Sequence, residues 1–192
     1  MENERKAAFL PLGKGNALKH LTASSLLTAL YVCLSFFALR LGDFVLTFAT
    51  LPIIACALLF GPFEGFLIAC FGEFLVQFAL YGPSLTTPIW MIGPAVRPLL
   101  LGLFAFLSYR FGKRLEERKV IYFLSLSLTS VCVTLCNTLA MYLDALILDY
   151  PLTIVWLTTL YRGLLGIGLS ILNGFLALPL LRALRALLGG KQ

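Results

Sequence analysis

Charge is scarce in this sequence. Only 12% of its 192 residues are Asp, Glu, Lys or Arg, about half the share of a soluble domain, which excludes an ordinary water-soluble globule. Histidine is scarcer still. The single one, His20, stands at the head of the first apolar run, which argues against Ser–His and Cys–His hydrolases and against histidine-rich metal centres working inside a membrane. There is no Gly-x-x-x-x-Gly-Lys-Ser/Thr phosphate loop, so ATP chemistry would have to come from partners. The lack of a convincing nucleophile–base pair, metal cluster or acidic phosphotransfer motif weighs against an intramembrane enzyme. No inverted repeat is evident, which weighs against a secondary carrier. The segment before the first apolar run is polar, basic and without a small-residue cleavage site, so the first span is expected to be retained.

Apolar residues are what the chain has in abundance. They make up 60% of it, mean hydropathy is +0.95, and they come in runs long enough to cross a bilayer. The expectation is an all-α integral membrane protein, a single bundle of six transmembrane helices near 21–40, 44–60, 63–81, 88–109, 120–143 and 158–182. Residues 1–20 are expected as a cytoplasmic N-terminal segment, 21–182 as the six-helix transmembrane domain, and 183–192 as a cytoplasmic tail. Asp43 to Thr50 reads either as the start of the second span or as a loop before Pro52. Gly/Pro turns join the spans at Phe60-Gly61-Pro62 and Tyr81-Gly82-Pro83-Ser84. The five cysteines, Cys33, Cys56, Cys70, Cys132 and Cys136, all lie in apolar runs and read as packing residues.

Twelve of the 15 basic residues fall in the first 20 positions, in 110–119 and at 182–191, whereas the opposite loops hold Arg40, Asp43, Asp144 and Asp149. Excess Lys and Arg face the cytoplasm, so both termini are expected there. The net charge of +6 then reflects topology and lipid contact, not a nucleic-acid surface.

Glu73, Arg97 and Arg162 interrupt the apolar runs. A charge at the bilayer centre costs about 2.5–3.5 kcal/mol on insertion scales and usually marks a pathway or a site. Counted from the ends of their spans, Glu73 lies about 12 Å and Arg97 about 14 Å inside the outer boundary. They are therefore expected to pair, as structural glue or as part of a pocket. The fourth span carries Pro94 and Pro98 close to Arg97. Each removes a helical donor, and freed carbonyls at membrane depth are tolerated where they face protein or a wet cavity. Asn137, about 27 Å along the fifth span, and Arg162, about 30 Å before Arg182, fall near the outer end. Thr86, Thr87, Trp90, Trp156 and Tyr161 gather at that level, although Trp and Tyr there also suit an interfacial belt. The substrate-binding set is thus Arg97, Arg162, Glu73, Trp90, Asn137, Thr86, Thr87 and Tyr161. On the first span Ser25, Ala29 and Cys33 recur every fourth residue as a small-residue face, suited to bundle packing or to another membrane subunit.

The run Leu46-Thr47-Phe48-Ala49-Thr50-Leu51-Pro52, followed by Leu59-Phe60-Gly61-Pro62-Phe63-Glu64-Gly65 and Gly72, resembles the folate-type branch of the S components of energy-coupling factor vitamin transporters. Tyr81-Gly82, Thr86-Thr87-Pro88, Trp90 and Arg97 are similar to a subset of it. The coupling motif of the family, Ala-x-x-x-Ala, stands here altered as Ser25-x-x-x-Ala29-x-x-x-Cys33. The resemblance implies a high-affinity binding subunit of an ATP-driven importer in a prokaryotic plasma or inner membrane. It would bind a vitamin from outside and then join a transmembrane coupling subunit and two cytoplasmic ATPases. No cofactor is expected in this chain, with ATP used by the partners. It also implies a pocket in the outer half, among the fourth to sixth spans and the outer loops. Two cations against one acid favour a ligand with an anionic group, such as folate, pantothenate or a cobalamin precursor. The rival reading is a proton-coupled secondary transporter using Glu73.

Overall fold

The computed structural model describes residues 9, 17–41, 44–149 and 151–188. Seven helices make up nearly all of it: α1 (Ala17–Phe36), α2 (Thr50–Leu59), α3 (Pro62–Tyr81), α4 (Thr87–Trp90), α5 (Ile92–Arg110), α6 (Lys119–Leu148) and α7 (Thr153–Leu188). Between α1 and α2 a small antiparallel hairpin pairs β1 (Leu39–Leu41) with β2 (Phe44–Leu46), and a 3₁₀ turn at Leu115–Glu117 precedes α6.

Among the described residues, four segments are long and apolar enough to cross a membrane: Pro62–Tyr81, Thr87–Arg110, Lys119–Leu148 and Thr159–Leu187. The first two helices depart from that pattern. α1 has 20 residues, but Lys19 and His20 in its first turn shorten its apolar length. The expected second span, 44–60, is a hairpin followed by a ten-residue helix, about 15 Å long and so half the depth of a lipid core. Asp43 lies outside the described residues, and Thr47 to Ala49 precede the helix as non-helical chain.

Such a short helix survives because other helices surround it. α2 touches α1, α3, α5 and α7, and Pro52 through Leu59 are all buried. Ile54, Ala55, Cys56, Ala57 and Leu59 have no accessible surface. Proline is tolerated near its start because a first-turn N–H has no helical acceptor anyway. The chain then reverses through Gly61, whose φ of 112° suits a residue without Cβ, and Pro62 opens α3. Close packing fixes α3 against α5. A methyl on Gly65 would come within 2.6 Å of Pro98 Cβ, and one on Gly102 within 2.6 Å of Pro62 Cα. The two backbones therefore approach as small-residue membrane interfaces do.

At the end of the bundle where α3 begins, Arg185 pairs with Glu116 at 2.6 Å and donates from Nη2 to the Leu58 carbonyl at 3.4 Å. The 3₁₀ turn, α2 and α7 are thereby tied together. Beside them His20 Nδ1 lies 3.5 Å from Glu64 Oε1, and its ring tilts against Phe60 at 4.7 Å.

Candidate functional site

The proline pattern acts where the sequence places it. Pro94 cannot donate to the Trp90 carbonyl, and the helix breaks at Met91 between α4 and α5. The Ala95 N–H recovers an acceptor on Met91 at 3.1 Å. Downstream of the break, Pro94 and Arg97 face a cavity of 240 Å³. Its polar lining comes from four directions: Tyr31 and Ser35 on α1, Thr47 and Thr50 before and in α2, Glu73 and Gln77 on α3, and Asn137 on α6. Val76, Leu80, Ile53 and Val133 supply apolar wall, and the exposed Tyr81 marks its rim.

Glu73 is well held on the α3 wall. Tyr31 Oη donates to Glu73 Oε2, and Gln77 Nε2 donates to Oε1 at 2.7 Å. The Tyr31 ring is seated by Gly72, one residue away on α3, where any Cβ would collide with it. Ser35 donates to the Tyr31 carbonyl at 2.8 Å. Arg97 behaves differently. It donates from Nη1 to Ser170 Oγ on α7 at 3.3 Å, and Ser170 in turn donates to the Leu126 carbonyl at 3.2 Å. Among the described residues no ion pair within 4 Å joins Arg97 to Glu73. The expected Glu73–Arg97 pair is therefore not formed: each charge is held by neutral partners, and both line the same cavity.

Asn137 reaches the cavity because Gly93 lets it. A Cβ at position 93 would collide with Asn137 Oδ1 and lie 2.8 Å from its Cγ. The non-helical wall is pinned from two sides. Thr47 Oγ1 accepts from the Ala49 N–H at 3.0 Å, and the fully buried Asn173 of α7 donates to the Thr47 carbonyl at 3.4 Å.

The other expected site residues stand elsewhere. Thr86 and Thr87 are buried but serve the turn into α4, with Thr86 Oγ1 3.0 Å from Ser84 Oγ and its carbonyl accepting from the Ile89 N–H at 2.9 Å. Trp90, Tyr161 and Arg162 do not line this cavity. Tyr161 is exposed, and Arg162 Nη1 contacts Met141 Sδ on α6. The side chain of Trp156 lies outside the described residues. The longer helices explain the separation: α6 runs to Leu148 and α7 from Thr153 to Leu188, so Arg162 stands about 14 Å inside its helix and not at its outer end. The cavity accordingly opens among α1, α2, α3, α5 and α6, not among the last three spans. Tyr31, Ser35, Thr47 and Gln77 are additions that sequence reasoning missed. Only the four-residue spacing of Glu73 and Gln77, one helix face, offered a signal.

On the outside of α1, Ser25, Ala29 and Cys33 are all exposed. Among the described residues, nothing packs over this small-residue face.

No curated protein is a match in sequence. A solved structure of the S component of a bacterial ECF transporter is similar at a TM-score of 0.62 and 17% sequence identity, over 88% of this chain and 99% of that one. At that identity the likeness concerns the fold. The sequence itself matches the family described as ECF transporter, substrate-specific component, over residues 19–181. That match spans most of the chain, and with its apolar spans this multi-pass membrane protein, a transport subunit and not an enzyme, belongs to the family of substrate-specific components of ECF transporters.

Proposed function

We propose that this protein is the high-affinity binding subunit of an ATP-driven importer for a small water-soluble vitamin or precursor that carries an anionic group, within the folate-type branch. The observation that carries the reading is Arg97 on the cavity wall with its charge unspent on Glu73. Guanidinium has five N–H donors, and one bond to a serine hydroxyl leaves a fork suited to carboxylate or phosphate. The cavity volume of 240 Å³ is below the roughly 300–1,000 Å³ of drug-sized pockets, which favours the smaller of the candidate vitamins, such as pantothenate, over folate enclosed whole.

In this reading the bundle sits in a prokaryotic plasma or inner membrane with both termini cytoplasmic. α1 and the hairpin–α2 unit complete six passes. The basic 110–119 loop and the Arg185–Glu116 pair lie on the inner side, and the mouth by Tyr81 faces outward. The exposed Ser25–Ala29–Cys33 face supports docking to a transmembrane coupling subunit, because small side chains let helices approach closely. Two cytoplasmic ATPases would supply ATP hydrolysis, with no cofactor in this chain.

The test is ligand binding to detergent-purified protein without ATP or an ion gradient. Arg97→Ala should cost about 100-fold in affinity, the 2.7 kcal/mol expected for a buried charge-assisted contact. Unchanged affinity would sink the anionic reading. Transport by the chain alone that collapses with an uncoupler would instead favour Glu73 as a proton site.

A further inference from the structure

The cavity presents an acid as well as a base, and among the described residues the two are not joined in an ion pair. Glu73 Oε1 and Oε2 each accept one bond, from Gln77 and from Tyr31. A carboxylate offers about four acceptor sites, so roughly two remain toward the cavity. Neither donor is cationic, and the base that shares the cavity, Arg97, is bonded to Ser170 of α7. A purely anionic ligand on Arg97 would therefore enter a small space beside an acid whose own hydrogen-bond partners are neutral. A sphere of 240 Å³ is about 8 Å across. At that separation, with an effective dielectric near 20, one unit-charge interaction changes affinity by about thirtyfold.

We propose that the cavity selects a small zwitterion, or a ligand pairing an acid with an amine or amidine, whose anionic end lies on Arg97 and whose donor end lies on Glu73. This rests on the anionic reading above and narrows it. Tyr31 and Gln77 are positioning residues here. They hold the carboxylate by neutral bonds, which fixes its direction without cancelling its charge. Asn137, with both a donor and an acceptor, suits the uncharged middle of such a ligand.

Three rigid probes separate the possibilities: 4-(aminomethyl)benzoate, 4-methylbenzoate and terephthalate, which share one carboxylate and differ at the opposite end. Their affinities would be measured by ligand-observed NMR on the detergent-purified chain, on Glu73→Gln and on Arg97→Ala. The expected result is that the wild type prefers the aminomethyl compound over the methyl compound by about tenfold or more and binds terephthalate weakest. Glu73→Gln should bring the three affinities close together while retaining the carboxylate contact. Equal or better binding of 4-methylbenzoate or terephthalate by the wild type overturns the zwitterion proposal, while loss of that binding in Arg97→Ala leaves the anionic reading standing. No binding of any probe at millimolar concentration, or binding indifferent to Arg97→Ala, overturns both. The wild-type ranking decides the matter even where Glu73→Gln fails to fold.

Discussion

Replacing Gly72 by Ala tests whether helix packing and the cavity are one structure. The new methyl would lie inside van der Waals contact of Tyr31 Cδ1, 3.0 Å from Cε1 and 3.3 Å from Cγ, so the ring must retreat by about 1 Å to restore ordinary contact. It has little room, since Tyr31 is 5% exposed and packs with Ile53, Ala69 and Val76. Overpacking of this kind costs about 1–3 kcal/mol. A displaced ring also loses its bond to Glu73, and a hydrogen bond to a charged group contributes about 1.5–3 kcal/mol. Gly72→Ala should therefore destabilise the purified protein by about 2.5–6 kcal/mol, seen as a fall in Tm of about 5 °C or more, and weaken ligand binding at least tenfold. The decisive measurement is a double-mutant cycle with Tyr31→Ala. Without the ring, the added methyl should cost less than about 0.5 kcal/mol. If Gly72→Ala costs as much in the Tyr31→Ala background as alone, the steric account of Tyr31 and its Glu73 bond is wrong.

Other perturbations separate binding from stability and from docking. Gly93→Ala should push Asn137 off the cavity wall and reduce affinity about tenfold while costing about 1–3 kcal/mol of stability; unchanged affinity would remove Asn137 from the site. Arg185→Ala breaks the partly buried pair with Glu116 and the bond to Leu58. It should lower stability by about 1–3 kcal/mol with ligand affinity within twofold, and a large affinity loss would show that the two ends of the bundle are coupled. Ala29→Trp places bulk on the exposed small-residue face. Binding in detergent should persist while ATP-dependent uptake in reconstituted vesicles falls at least tenfold, and normal uptake would move the docking surface elsewhere.

Much of the architecture can be read from hydropathy because a lipid core leaves helices few alternatives. The turns at Gly61-Pro62 and Gly82-Pro83 and the break at Pro94 follow from local chemistry that no tertiary contact overrides. α2 was harder. After Thr50 its residues are apolar on every side because other helices surround them, and periodicity cannot distinguish that from a lipid-facing span. In the site, Glu73 and Arg97 stood out as charges in apolar surroundings. Tyr31 did not, because an aromatic in an apolar helix looks like any core residue until Gly72 and Glu73 are seen to frame it. The pairing of Glu73 with Arg97 was inferred from similar depth on two spans joined by a short link. Depth fixes a level along the membrane normal but not the azimuth around a helix, and the two side chains turn to different neighbours. Thr86, Thr87, Trp90, Tyr161 and Arg162 were grouped for the same reason.

The last helix carries a mechanical implication. Its 36 residues make a rod about 54 Å long, whereas hydrocarbon is about 30 Å deep and leaning rarely exceeds about 40°. Even at that slant roughly 10 Å must stand clear of the oil. Arg182 and Arg185 sit toward one extremity, and Arg185 is fastened inward to Glu116 and the Leu58 carbonyl, so the overhang cannot lean without carrying the short buried helix and the 3₁₀ turn along with it.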